Sequence, residues 1–257
     1  MDWHRRFTQQ ARWTEALRRY LFARLDMGRP SRILEMGCGT GAALEAAQQN
    51  AAQQDAATVS PEQLYGLDIR RDFLKRAGQA ASQALLVQGD ARRPPFASHS
   101  FDCVYFHFTL LWIADPLSAL SAARRLVRTG GWVMALAEPD YGGRIDYPEA
   151  LVETGRLQEQ ALRRQGAETR LGRRLGGLFH QAGFQNIETG VISGQWGEPP
   201  SQDDLEQEWA TLEDDLQGVI SKAELAELRQ IDLNAWRAGE RTLFVPTFYA
   251  VGQGKDH

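Results

Sequence analysis

The 257-residue sequence has two cysteines, Cys38 and Cys103, with no CxxC pair and no histidine neighbours at metal spacing. That excludes a disulfide framework and a thiolate metal site, so no metal is expected and both cysteines read as reduced, small apolar residues. Lysine occurs only at 75, 222 and 255; the positive charge is nearly all arginine, and the net charge is −4. Such a balance gives no general attraction to nucleic acid, and there is no basic patch with interleaved aromatics. No run of roughly 18 apolar residues is present, which excludes a membrane-spanning helix. The opening Met-Asp-Trp-His-Arg-Arg lacks the apolar run of a secretion signal. A cytoplasmic protein is expected, without internal repeats or a low-complexity tail. The hydrophobic content of 43% is ample for a packed core.

What is present is concentrated in residues 32–41. An apolar strand (Ile33, Leu34) runs into Glu35 and then into glycines at 37, 39 and 41, and an alanine-rich helix follows at once. Glycine permits positive φ and close approach of a ligand to the main chain. The acid selects the ligand. A phosphate favours backbone N–H groups and a helix N-terminus with no carboxylate nearby. Glu35 instead suits a ligand with positive charge, such as the ammonium or sulfonium of S-adenosylmethionine. Gly37, Gly39 and Ala42 also satisfy the loose dinucleotide pattern, so the turn alone leaves a nicotinamide cofactor open.

Further acids follow at strand ends. Leu64–Ile69 reads as a second strand ending in Asp68, placed to accept both ribose hydroxyls of either ligand. Leu85–Ala91 is a third, ending in Asp90, placed to accept from an exocyclic adenine amine. Phe101–Phe108 is a fourth, opening Phe-Asp, and Leu126–Asp140 holds a helix end, a Gly-Gly turn and a fifth strand. Strand and helix alternate from Ser31 to Val133, which implies a parallel sheet.

The series Glu35-Met-Gly-Cys-Gly-Thr-Gly41, Gly66-Leu-Asp68, Gln88-Gly-Asp-Ala91, Phe101-Asp102 and Arg125-Leu-Val-Arg-Thr-Gly-Gly131 resembles a class I S-adenosylmethionine-dependent methyltransferase. It is most similar to the small-molecule branch that includes the ubiquinone/menaquinone methyltransferases. The one departure is Thr129, where the family often has proline before the Gly-Gly turn. The resemblance implies an α/β, Rossmann-like, doubly wound sheet of seven strands, mostly parallel with the last antiparallel. It implies S-adenosylmethionine as cofactor, contacted by Glu35, Gly37, Gly39, Asp68, Ile69, Asp90, Ala91 and Phe106, and transfer of its methyl group to a small molecule. The acceptor is not implied. Two rivals stay open: an NAD-dependent oxidoreductase, against which Glu35 and Asp90 argue, and an S-adenosylmethionine-binding protein without turnover.

One domain over 1–257 is expected, with a helical cap (1–30), a core (31–196), a helical insert (197–242), and a last strand and tail (243–257). A helix over 7–26 would put Phe7, Ala11, Thr14, Leu17, Leu21 and Leu25 on one face, ending at Arg29-Pro30. In this fold such a helix commonly covers the cofactor. Arg12, Trp13 and Tyr20 then line the site, or else Trp13 packs and Arg12 is solvated. Gln48–Gln63 reads as a helix end and surface loop, and Asp115-Pro116 as a helix start. Glu138–Pro148 is an aromatic, charged loop facing the cleft. Residues 149–182 look helical with breaks near Gly166 and Gly172. A sixth strand is expected over 185–196 and a last over Leu243–Val251, where Pro246 argues for an edge or a bulge. The insert holds an acidic run, Asp203–Asp215, and an amphipathic stretch with Leu225, Leu228, Ile231 and Trp236. It reads as two helices that either cover the acceptor or form a solvated face.

Methyl transfer from a sulfonium is an in-line displacement from an activated donor, so alignment and exclusion of water supply much of the rate. A base is needed only for an acceptor protonated at neutral pH. His107, at the end of the fourth strand, is the candidate; the alternative is a buried histidine with a structural bond. The segment His107-Phe108-Thr109-Leu110 stands where methyltransferases acting on adenine or glutamine amides carry an Asn/Asp-Pro-Pro-aromatic turn, which speaks against those targets. Tyr20, Phe106, Phe108 and Tyr141, with the substrate-binding candidates Trp13, Trp112, Arg144 and Tyr147, suit a small, partly apolar acceptor. The oligomeric state is left open.

Overall fold

The structure, a computed structural model, describes residues 2–24, 31–53, 63–192 and 200–254. All four residues of β1 (Ile33–Met36) are buried. That suits a strand sandwiched between helices on both sheet faces, where apolar runs replace alternation. In chain order β1 follows helices α1 (Trp3–Trp13) and α2 (Glu15–Arg24). It is followed by α3 (Ala42–Gln53), β2 (Leu64–Asp68), α4 (Arg71–Ala80), β3 (Leu85–Gln88), β4 (Phe101–Phe106), α5 (Pro116–Leu126) and β5 (Val127–Pro139). The remainder comprises β6 (Ile145–Tyr147), α6 (Val152–Arg164), α7 (Leu175–Gln181), β7 (Gln185–Ile192), α8 (Gln202–Asp215), α9 (Lys222–Ala238), β8 (Thr242–Phe244) and β9 (Thr247–Gln253).

The main sheet has seven strands in the order β3-β2-β1-β4-β5-β9-β7. β1 pairs in parallel with β2 and β4, β2 with β3, and β4 with β5. β9 runs antiparallel to both β5 and β7. This is the expected doubly wound sheet with its last strand reversed. Successive side chains alternate between two cores. Leu34, Met36, Val104 and Phe106 join α5 and α7 on one face; Ile33, Cys103, Tyr105 and Met134 join α2 and α3 on the other. β1 connects to β2 on one side while β4 lies on the other, which opens a crevice at their C-terminal ends. Asp115 caps α5 as its sequence suggests, accepting from Ser118 N–H at 3.0 Å.

Two expected elements are divided. The helix expected over 7–26 breaks at Thr14. The Arg18 guanidinium takes the Ala11 carbonyl oxygen at 2.6 Å, and the Thr14 hydroxyl faces the Gln10 and Ala11 carbonyls. Side chains thus satisfy acceptors that a continuous helix would give to backbone N–H groups. The strand expected over Leu243–Val251 breaks at Pro246, which has no N–H to donate to a ladder. β8 instead pairs with β6 in a separate two-stranded ribbon, so part of the loop expected over Glu138–Pro148 is strand. Leu25, Arg29-Pro30, most of the Gln48–Gln63 loop and the end of the 185–196 strand fall outside the described residues.

The insert forms two helices, as its pattern suggests. Ala161 of α6, Trp209, Leu212 and Leu216 of the α8 segment, and Leu225 of α9 make a separate core. The acidic run is not simply solvated. Arg5 pairs with Asp203, Arg6 with Glu208 at 2.7 Å, and Arg12 with Asp204 at 2.7 Å. These pairs clasp α1 to α8.

Candidate active site

The C-terminal ends of β1 to β5 open into a cavity of about 650 Å³, a size that holds a cofactor-scale ligand. One half of its wall is the glycine turn and the acids that follow it: Glu35, Gly37, Gly39, Asp68, Ile69, Asp90 and Ala91. The turn needs its glycines. Gly37, Gly39 and Gly41 have φ of +79°, +52° and +82°. A Cβ on Gly37 would lie 2.2 Å from the Thr109 side chain, and one on Gly41 would lie 3.0 Å from the Ala77 backbone.

Four donors of the turn are already used. The N–H groups of Gly37 and Cys38 donate to the Leu67 carbonyl at 2.7 and 3.0 Å, and that of Gly41 to the Cys38 carbonyl at 2.9 Å. Gly39 N–H donates to Asp68 at 2.8 Å. A pyrophosphate would find these amides spent and carboxylates on either side, which weighs against a dinucleotide. Glu35 is buried, and the register sets it beside Tyr105, whose hydroxyl donates to it at 3.0 Å. Burial pushes the Glu35 carboxyl up to about 8, opposed by the Tyr105 hydrogen bond and the Arg18 charge. Burial also raises Asp68, against the N–H groups of Arg70 and Gly39. Such a pair gains from a cation. Asp90 is held by Arg92, with its carboxylate 2.6 Å from Nη2, which keeps it below the usual range.

The middle of the cleft is the turn after β4. Phe108 has φ +50°, a left-handed conformation uncommon for a bulky residue and found at over-determined sites. Buried Glu138 accepts from the N–H groups of Thr109, Leu110 and Leu111 at 3.1, 2.9 and 3.0 Å, which fixes this turn. Burial pushes Glu138 up to about 7 against those three bonds. His107 lines the cleft and meets the Thr14 hydroxyl through Nε2 at 2.8 Å. Burial, with the Arg18 charge, pushes His107 down to about 3, so its ring is neutral.

The other half is built from helices. Trp3, Arg6, Phe7 and Gln10 of α1, Gln158 and Leu162 of α6, Gln165, and Thr211 and Asp215 of α8 join Leu111, Trp112 and Tyr141. Of the candidate residues, Glu35, Gly37, Gly39, Asp68, Ile69, Asp90, Ala91, His107 and Trp112 therefore meet in one cavity. Phe106 turns into the core beneath it. Trp13 and Tyr147 are about half exposed and outside the lining, Trp13 under the Arg6 guanidinium at 5.1 Å. Arg144 stands one layer back, bound to Asp146 and Gln158. Arg6, Gln158, Gln165 and Asp215 are among the polar groups of the lining that sequence reasoning missed. Trp3, Arg6, Phe7 and Gln10 form a helical stripe, of which the sequence pattern marks Phe7 alone, as part of the apolar face. Nothing in the pattern marks Gln158 or Asp215.

Comparisons with known proteins agree with this geometry. A family model described as a methyltransferase domain matches residues 34–135. An O-methyltransferase of Aspergillus nomiae is 31% identical over 176 residues, 68% of this chain and 73% of that protein. The demethylmenaquinone methyltransferase of Bacillus subtilis is 28% identical over 73% of this chain and 84% of its own. An uncharacterized protein of Streptomyces fradiae, 31% identical, is matched over only 51% of its length. Among solved structures, a putative sarcosine dimethylglycine methyltransferase from Galdieria sulphuraria superposes with TM-score 0.56 at 15% identity, covering 96% of this chain and 85% of that one. Motifs, sheet order, the composition of the cleft and these relatives converge: the chain belongs to the class I S-adenosylmethionine-dependent methyltransferases of the small-molecule type.

Proposed function

We propose that the chain holds S-adenosylmethionine at the glycine-turn half of the cleft and methylates a small organic acceptor held at the helical half. The observation that carries this is the buried Glu35, raised by burial, beside a turn in which the N–H groups of Gly37, Cys38, Gly39 and Gly41 are already bonded. That environment favours a cation over a phosphate. Glu35 would face the ligand's positive charge, Asp68 its ribose hydroxyls, and Asp90 with the Ala91 backbone its adenine. S-adenosylmethionine supplies an already activated methyl group, so the protein's task is alignment and exclusion of water.

His107 is a neutral ring held by Thr14 and serves better as an orienting hydrogen-bond partner than as a strong base. Trp112 lines the acceptor side of the cleft. Helices α1 and α8, clasped by their ion pairs, form the cover, and the whole acts as one domain. The free, buried cysteines suit a reducing cytoplasm. No helix among the described residues is long and apolar enough to cross a membrane.

The test is calorimetric titration with S-adenosylmethionine. Asp68→Ala should weaken binding by about 1.5–3 kcal/mol, the range for a hydrogen bond to a charged group. Equal affinities would remove Asp68 from the site, and tighter binding of NAD would overturn the reading.

A further inference from the structure

The helical half of the cleft carries an uncompensated negative charge. Arg6 is answered by Glu208 at 2.7 Å. Behind the wall, Arg144 and Arg241 are answered by Asp146 at 2.6 and 2.8 Å, and Arg241 also by Asp232 at 2.6 Å. Asp232 in turn accepts from the Trp209 indole at 2.9 Å. This is a closed, neutral network of two cations and two anions. Asp215 lies just beyond it, half-buried and lining the cavity. Its two oxygens accept from the Gln158 and Gln165 amides, each at 3.0 Å. No cation among the described residues forms an ion pair with it.

That arrangement is built. Arg144 Nη1 donates to Gln158 Oε1 at 2.6 Å, so the Gln158 amide N–H₂ must turn toward Asp215. A neutral amide thus separates a guanidinium from a carboxylate that would otherwise neutralise it. A carboxylate has about four acceptor positions, and two amide donors leave room for more. Burial raises Asp215 against the two amide bonds and the more distant charge of Arg6, and a cation in the cleft would relieve that cost further. Leu111, Trp112 and Leu162 supply apolar wall to the same cavity.

We propose that the acceptor of this enzyme is an amine, bound as its ammonium with an N–H held by the Asp215 carboxylate and its apolar body lying against Leu111, Trp112 and Leu162. After loss of a proton to water, its nitrogen lone pair forms the N–CH3 bond as the S–CH3 bond of S-adenosylmethionine breaks, leaving S-adenosylhomocysteine. The assignment rests on the methyltransferase reading of the glycine-turn half. Arg6 lines the same cavity, but it is one cation against two carboxylates, Glu208 and Asp215, and its ion pair is with Glu208, so the charge left over is negative.

The experiment titrates the full chain, with and without S-adenosylhomocysteine, with three probes of one shape: phenethylamine, phenethyl alcohol and phenylacetate. Phenethylamine should bind at least about tenfold more tightly than the alcohol, with phenylacetate weakest. Asp215→Asn removes the charge. Gln165→Arg, at an exposed position, adds a counter-cation without touching the core. Each should erase the preference for the amine while the affinity for S-adenosylhomocysteine stays within about twofold. If Asp215→Asn fails to fold, Gln165→Arg decides alone. Alcohol or acid binding as well as the amine, no binding of the amine to wild type, or a preference that survives in the folded variants would overturn the proposal. Failure of wild type to bind S-adenosylhomocysteine would instead count against the donor site.

Discussion

Cofactor binding is expected to release a proton at neutral pH, with Glu35 as its source. In the free protein burial pushes this carboxyl up to about 8; Tyr105 and Arg18 pull it down and the Asp68 charge adds to the rise. A cationic ligand group beside it favours the carboxylate and returns it toward the ordinary value of about 4.3. At pH 7 an acid with a pKa of about 8 is about nine-tenths protonated, so nearly one proton leaves for each ligand bound. Affinity therefore rises with pH up to about 8 and then levels off. Between pH 6 and 7 the Kd should fall about ninefold. Calorimetry across this range, in two buffers of different ionisation enthalpy, reads affinity and proton count together. Glu35→Gln cannot ionise and should bind more weakly at high pH, with a flatter profile. The ligand's own amine titrates identically against both proteins, so their difference isolates Glu35. Identical pH profiles, or equal heats in the two buffers at pH 7 for wild type, would refute the argument. The same group acts on folding without ligand. Its folded-state value lies above the unfolded one, so its contribution is complete below about pH 4.3 and is lost as the pH climbs through about 8.

Gly41→Ala forces a side chain onto φ +82° and to 3.0 Å from the Ala77 backbone; it should cost about 1–3 kcal/mol, read as a fall in Tm, and an unchanged Tm would contradict the geometry. The His107 ring, pushed down to about 3, should show no NMR titration between pH 5 and 8, and an inflection there would revive it as a base. Arg12→Ala breaks an ion pair whose arginine is exposed and should cost less than about 1 kcal/mol in urea unfolding. Arg6→Ala strips the partner from Glu208 at a largely buried position and should cost clearly more, about 3 kcal/mol. Equal costs would mean that the clasp does not distinguish its buried and exposed members.

In the parallel half of the sheet β1, β2 and β3 were legible because they read as short apolar runs that each end at or beside an acid. Those strand ends must converge at the crevice, so Glu35, Asp68 and Asp90 could be brought together on paper. The helical half was not legible. Arg6 and Gln10 look like a wet helix face because periodicity reports burial, and this face borders a cavity. Tyr147 lies in the β6–β8 ribbon and Arg144 just before it, and the pairing of Ile145 with Phe244, far along the chain, has no local signature. The bond that aims Gln158 at Asp215 depends on Arg144, 14 residues earlier on another element.

The clasp between α1 and α8 also sets an order of assembly. Arg5 and Asp203 are 198 residues apart. At roughly 5–20 residues per second of synthesis, the arginines of α1 wait about 10–40 s for the carboxylates that will hold them. A nascent chain that has just completed β5 already contains the glycine turn and the acids at 35, 68 and 90. It lacks α6 and α8, and with them Gln158 and Asp215. Such a chain already carries the residues of the donor half and none of those proposed to seat the acceptor, so the roof is among the last parts of the site to be synthesised.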